Sequence, residues 1–222
     1  VHAMLMDIRE VQSRVANLEY PVDRDPGPMI DDALLRGEQV SAVISNLLKF
    51  SSGYVGDMQP VGIPGIIDHT LELASAVLTV PSGLQFRDIK IVKAYEDELP
   101  AIPCHETELQ QVFLSLFRHC SHALGEVEKP GFEPTITIEV HKFYDALWLK
   151  VQHNGRGISL NDQQMVFEPF FTDSDHLAEE DYDAGRRLSY PYFIITEQHR
   201  GQLAVTSDID VGTTFHIQLQ LA

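Results

Sequence analysis

Two runs of alternating apolar residues, Thr135 to His141 and Ala146 to Gln152, flank a turn at Tyr144-Asp145, and the second runs into His153-Asn154-Gly155-Arg156-Gly157. Alternation at period two marks strands with one buried face, so the pair predicts an antiparallel hairpin that must lay its apolar side on other elements. Two glycines directly after a strand suit a backbone that turns where side chains would not fit. Ile89 to Tyr95, Gln202 to Ser207 and Thr213 to Leu219 read as further strands. Helical periodicity marks Ile63 to Leu78, Glu106 to Leu124 and Pro191 to His199, the last stopping at Gly201. Helices mixed with mostly antiparallel strands predict an α+β sandwich, one sheet covered on one face by helices. The sequence contains no internal repeat and no low-complexity tract.

The N-terminal part has a different pattern. Met4, Ile8, Val11, Val15 and Leu18 recur at steps of four and three, the seam of a helix that packs on other helices. Tyr20 to Pro28, with three prolines and a glycine, breaks it. A second seam runs Ile30, Ala33, Gly37, Val40, Ile44 and Leu47, widened by Leu34 and Leu48. Two antiparallel helices cannot bury two such stripes alone. Pairing with an identical hairpin gives a four-helix bundle, and packing on the rest of the chain is the alternative. Residues Ser51 to Pro60 read as a linker. The expected organisation is a helical hairpin for dimerisation over 1–56 and an α/β sandwich over 57–222.

Composition narrows the partners. The 222 residues carry 16 Lys and Arg against 33 Asp and Glu, a formal net charge of −17. That balance argues against nucleic acid, which needs clustered basic residues, and against an anionic membrane surface. No apolar run reaches the length of a membrane span and no signal peptide is visible. The two cysteines, Cys104 and Cys120, have no paired metal spacing, which fits a reduced, cytoplasmic setting. The first residue is Val1, as in a piece excised from a longer protein with a sensor or membrane segment upstream.

Several segments, in order, resemble those of sensor histidine kinases. Asn46-Leu47-Leu48-Lys49-Phe50-Ser51 is similar to the end of their second dimerisation helix, and Glu108 to Cys120 resembles the N box, often Q-Q-V-L-x-N-L-x-x-N-A. Val151 to Ile158 resembles the first glycine box, D-x-G-x-G-I, and Val166 to Thr172 the F box. Asp183 to Ser189 stands where the second glycine box, G-x-G-L-G-L-S, would be, while Glu197 to Gly201 and Gly212 to Phe215 resemble the closing E-Q-H-x-G and G-T-x-F segments. The resemblance implies dimerisation and phosphotransfer helices followed by an ATPase domain of the histidine kinase (Bergerat, GHKL) type. It also implies that the nucleotide pocket includes Ser115, His119, His153, Gly155, Gly157, Gly185, Arg186, Arg187, Thr213 and Thr214.

The departures from that pattern cluster where ATP binds in the family. The N-box asparagines are Ser115 and His119, and the second of these holds magnesium through its amide oxygen in the family. An imidazole is a poor substitute for that hard oxygen ligand. The aspartate that accepts from the adenine amine is His153. In the second glycine box only Gly185 remains, with Asp183 and Arg187 at glycine positions. Arg186 and Arg187 either replace magnesium as counter-charges for phosphate or pair with Asp173, Asp175, Glu179, Glu180 and Asp181. His119 and His122, three apart on one helix, are compatible with a metal, but with no third ligand evident no metal site is expected. Each lost polar contact costs about 1–3 kcal/mol, and three or four would carry a micromolar ligand to about millimolar or weaker. The phosphoacceptor candidate is His2, followed by Ala3-Met4-Leu5-Met6-Asp7 in place of the family's H-E-[LI]-x-N-P.

The function expected is therefore a two-component signalling module resembling a kinase core, a pseudokinase acting through dimerisation and contacts with a response regulator or partner kinase, with no cofactor. The alternatives are an atypical active histidine kinase binding ATP with magnesium weakly, and an ATP-independent histidine phosphotransfer adaptor. The seams predict a homodimer: light scattering at micromolar concentration returns twice the chain mass, and Ile44→Asp halves it, because a buried unpaired carboxylate costs several kcal/mol. A monomer mass for the unaltered chain contradicts the expectation.

Overall fold

A computed structural model of the chain describes residues 57–78, 80, 82–168 and 188–221, all within the compact unit Gly56–Ala222. The two helical seams, the four-helix bundle expected from them and His2 lie outside the described residues.

The elements in chain order are β1 (Gln59–Val61), α1 (Ile63–Val77), a 3₁₀ turn (Phe86–Asp88), β2 (Lys90–Tyr95), β3 (Ile102–Cys104) and α2 (Glu106–Gly125). Then come β4 (Thr135–Phe143), β5 (Ala146–His153), α3 (Leu160–Gln163), α4 (Ser189–Phe193), a π-helical turn (Ile194–Gln198), β6 (Gln202–Asp208) and β7 (Gly212–Gln220). Five strands form one sheet in the order β2-β4-β5-β7-β6, and β1 pairs with β3 in a separate two-stranded sheet. The β4–β5, β5–β7 and β6–β7 pairs are antiparallel. Only β2–β4 is parallel, and a parallel pair needs a long crossover, which here carries α2.

Period two decides which face is covered. Ile136, Ile138 and Val140 of β4, Leu147, Leu149 and Val151 of β5, and Phe215, Ile217 and Leu219 of β7 are all buried on one side. Against them lie α1 and α2, whose buried residues follow the helical period: Ile63, Ile66, Ile67, Thr70, Leu71 and Ala74, then Leu109, Val112, Phe113, Leu116, Phe117, Cys120 and Leu124. The other face of the sheet carries the polar partners, such as Lys150 paired with Glu139 at 3.2 Å. This is the expected α+β sandwich.

Local chemistry sets the ends of these elements. Pro64 stands in the first turn of α1, where its missing N–H costs nothing. Tyr144, in the two-residue turn between β4 and β5, takes φ 54, a left-handed backbone rarely adopted by a residue with a Cβ. Two expectations are revised. Gln59 and Pro60, read as linker, belong to β1, which pairs with β3. The helix expected from Pro191 begins at Ser189 and widens to π geometry over Ile194–Gln198, ending where the Gly201 N–H meets the Ile195 carbonyl at 2.8 Å.

The core centres on Phe117, fully buried, with ring centroids 5.8 Å from Phe86 and 6.4 Å from Phe113. Phe117→Ala is expected to cost about 3–5 kcal/mol, seen as a lower denaturant midpoint at unchanged slope. A loss below about 1 kcal/mol would contradict this packing.

Candidate functional site

Three segments converge at the end of β5. His153 closes that strand, in register with Ile136 of β4 and Thr213 of β7, and its side chain is only 1% exposed. The turn that follows passes the last turns of α2, where the Arg156 N–H donates to the Ala123 carbonyl at 2.9 Å. It then meets the β6–β7 turn, where the Gly157 N–H donates to the Ile209 carbonyl at 3.1 Å. A Cβ on Gly155 would lie 2.5 Å from the Ala123 carbonyl oxygen, and one on Gly157 would overlap the Asp208 carbonyl. Gly212, at φ 124, faces the His153 carbonyl in the same way. These glycines are required by backbone against backbone, whatever ligand is present.

The state of His153 follows from this turn. The Gly155 N–H donates to His153 Nδ1 at 3.1 Å, so Nδ1 is the acceptor and the neutral ring carries its proton on Nε2. Burial pushes the imidazole pKa down to about 4, so the ring is uncharged at neutral pH. Nε2 is buried and has no hydrogen-bond partner among the described residues. An unsatisfied buried donor costs about 1–3 kcal/mol. Beside it stand the rings of His119, 5.8 Å from His153 between centroids, and Phe215, which meets His119 edge-on at 5.2 Å.

The remaining residues expected at the pocket divide into three groups. Ser115 and His119, one turn apart on α2, are both half-buried. Thr213 is buried, and its hydroxyl is 2.7 Å from that of Ser207. Thr214 does not join them. Strand alternation puts it on the opposite face of β7 from Thr213, beside Gln152 and Thr206. Gly185, Arg186 and Arg187 lie outside the described residues.

Two polar clusters were not expected from the sequence. Ser207 accepts from the Ile158 N–H at 2.7 Å and donates to the Gly212 carbonyl at 3.0 Å, tying the turn after β5 to the β6–β7 turn. Gln163 adds to this tie by donating to the Ile158 and Ser207 carbonyls. At the other end of α2, His199 Nε2 accepts the His105 N–H at 3.1 Å, satisfying one of the helix's otherwise unpaired amides, while Nδ1 donates to the Ile194 carbonyl at 2.9 Å. Glu108 is nearly buried there, and desolvation raises its pKa. The Gln198 amide, with its nitrogen turned to that carboxylate, lies 2.6 Å away. A serine in a strand and a histidine beyond a helix give no periodic signal of such roles.

Residues 104–222, more than half of the chain, match the sequence model of the histidine kinase-, DNA gyrase B- and HSP90-like ATPases. The chain belongs to that ATPase family. Among curated relatives it is 28% identical over 183 residues to the sensor histidine kinase ZraS of Salmonella typhi, covering 82% of this chain and 35% of that protein. It is 27% identical over 185 residues to the histidine-protein kinase AtoS of Escherichia coli, covering 83% of this chain and 27% of that one. The chain thus spans about a third of the length of the curated relatives it matches. The catalytic domain of the histidine kinase ThkA in a nucleotide-free form superposes with a TM-score of 0.58 at 18% identity, over 75% of this chain and 97% of that one. ThkA in complex with the response regulator TrrA gives 0.66 at 18% identity, over 98% and 57%. These structures share the fold.

The ligand implied by this ATPase family is ATP with magnesium, and the described residues do not fit it. At the position where the resemblance places adenine's exocyclic amine, which is a donor, His153 offers a second donor. The His119 imidazole is a poor magnesium ligand. Among the described residues no cluster of three His, Cys, Asp or Glu side chains could hold a metal, and no helix is long and apolar enough to cross a membrane.

The lowered His153 pKa has a measurable consequence. The folded value, about 4, lies below the ordinary 6.5, so the unfolded chain binds the proton more readily. The neutral ring's contribution is complete above pH 6.5 and is lost as pH falls toward 4. Between pH 7.5 and 5.0 the loss is about 2 kcal/mol. His153→Gln, which does not titrate, is expected to flatten the stability-against-pH curve by that amount, measured by denaturant unfolding at each pH. Parallel curves for the two proteins would show that His153 is not buried as a neutral ring.

Proposed function

We propose that this chain is a signalling module of the two-component type that keeps the kinase ATPase fold as a platform for protein contacts and does not phosphorylate itself, a pseudokinase. One observation carries the reading: His153 is buried, neutral and donor-only toward its surroundings, at the position where the resemblance calls for an acceptor carboxylate. His119, at the metal-binding position, deepens the mismatch. Two lost polar contacts of about 1–3 kcal/mol each carry a micromolar ligand to about millimolar.

The reading is supported on the partner side by the match to ThkA, whose structure was solved in complex with a response regulator. In the proposed role the helical hairpin over 1–56 dimerises, and the assembly meets a response regulator or a partner histidine kinase. Autophosphorylation needs bound ATP, a positioned histidine and a base beside it. His2 is followed by Ala3 where the family's acid would stand, so two of these requirements fail together.

The expected result with labelled ATP and either magnesium or manganese is no acid-labile phosphohistidine, both in this chain and in one extended upstream of Val1. A thermal-shift titration is expected to show no rise in melting temperature at about 100 micromolar ATP. Labelling abolished by His2→Gln would overturn the proposal in favour of an active kinase.

A further inference from the structure

We infer that the buried end of β5 selects a purine nucleotide carrying a carbonyl at position 6, a guanine or hypoxanthine nucleotide, over an adenine nucleotide, with His153 Nε2–H as the selecting donor. This rests on the reading above that the site has the place of a nucleotide pocket and the wrong polarity for adenine.

The polarity is fixed by the backbone. Gly155 cannot turn its N–H away from Nδ1 without shifting a turn whose next amides are held by the Ala123 and Ile209 carbonyls. The neutral tautomer therefore keeps its proton on Nε2, and no charged form is available near neutral pH to change that choice. His119 Nε2 is the other buried ring nitrogen of this cluster, and two further polar groups nearby are already engaged. The Thr213 hydroxyl is shared with Ser207. The Asn154 side chain accepts from the Thr135 N–H at 2.8 Å and donates to the Glu133 carbonyl at 3.0 Å. His153 Nε2–H is left as a buried donor without an acceptor among the described residues, and such groups in folded proteins call for an explanation.

An acceptor supplied by a ligand is that explanation. A purine O6 accepts where adenine's N6 amine can only donate, so the two bases differ at the one atom this site reads. A buried group that hydrogen-bonds one ligand rejects the analogue that leaves it unpaired, and the discrimination is large because water cannot step in. The half-buried ring of His119 beside His153 is an aromatic surface of the kind on which bases stack. Because Nε2 is sealed from solvent, a base reaches it only by displacing a neighbouring side chain, so the affinity is expected to be modest while the selectivity is kept.

The test is calorimetric titration of the chain at pH 7.5 with ADP, GDP and inosine diphosphate, each with and without magnesium. The expected result is a Kd for GDP and for inosine diphosphate at least about tenfold below that for ADP. His153→Asp, which replaces the donor by an acceptor, is expected to reverse the order, and His153→Ala to erase it. If neither variant folds, the ranking of the three diphosphates on the unaltered chain decides the matter. Equal or tighter ADP binding overturns this inference, and only a Kd for ADP near or below about 100 micromolar overturns the pseudokinase reading with it. Absence of binding by all three at millimolar concentration overturns this inference alone. A guanine preference that survives His153→Ala shows that another group selects the base, and overturns the assignment to His153.

Discussion

The stretch from His153 to Ile158 passes between the end of α2 and the β6–β7 turn with no space for side chains at Gly155 and Gly157, and the rest of the site depends on that close approach. Interiors packed to crystal density transmit such constraints, because a displaced backbone has nowhere to go. Gly212 completes the arrangement from the other side, its Cα against the His153 carbonyl at a φ that favours glycine. Ser207 then ties the two turns by hydrogen bonds to both. The glycines that look like a nucleotide signature are thus demanded by the fold itself, and their presence says nothing about whether a phosphate is bound.

The chemistry of His153 follows from the same constraint. A rigid turn aims the Gly155 N–H at Nδ1, the sheet and α2 remove water, and the ring settles as a neutral donor. An aspartate at this position would meet the same amide as an acceptor and present a second oxygen to a ligand, so one substitution inverts the polarity of the site while leaving the backbone unchanged. In the proposed reading, that is how the chain keeps the architecture of the ATPase family while the polarity at this position no longer suits adenine. Fold and ligand are set by different atoms.

Much of the architecture was legible in the sequence because burial writes itself as a period. The alternation in Thr135–Phe143 and Ala146–His153, and the helical spacing of Leu109, Val112, Phe113, Leu116 and Phe117, mark elements with one buried face. The short pair of β1 and β3 left no such trace, since each has three residues and Pro60 faces Pro103 across it. The switch to π geometry over Ile194–Gln198 leaves the composition of a helix unchanged, so only its hydrogen bonds reveal it. At the site, the position of His153 was legible and its chemistry was not. The tautomer depends on one amide two residues on, and the contacts of Ser207 and His199 reach across 49 and 94 residues of chain. Thr214 shows the converse limit: a motif names adjacent residues, while a strand sends them to opposite faces.

The central claim, that His153 is a buried neutral imidazole protonated on Nε2, is open to direct observation by nitrogen NMR of the histidine side chains across a pH titration. The expected spectrum has a pyrrole-type Nε2 and a pyridine-type Nδ1 for His153 at pH 7, unchanged down to about pH 5, with protonation only near pH 4. A ring that titrates near 6.5, or one that carries its proton on Nδ1 at pH 7, would contradict the account.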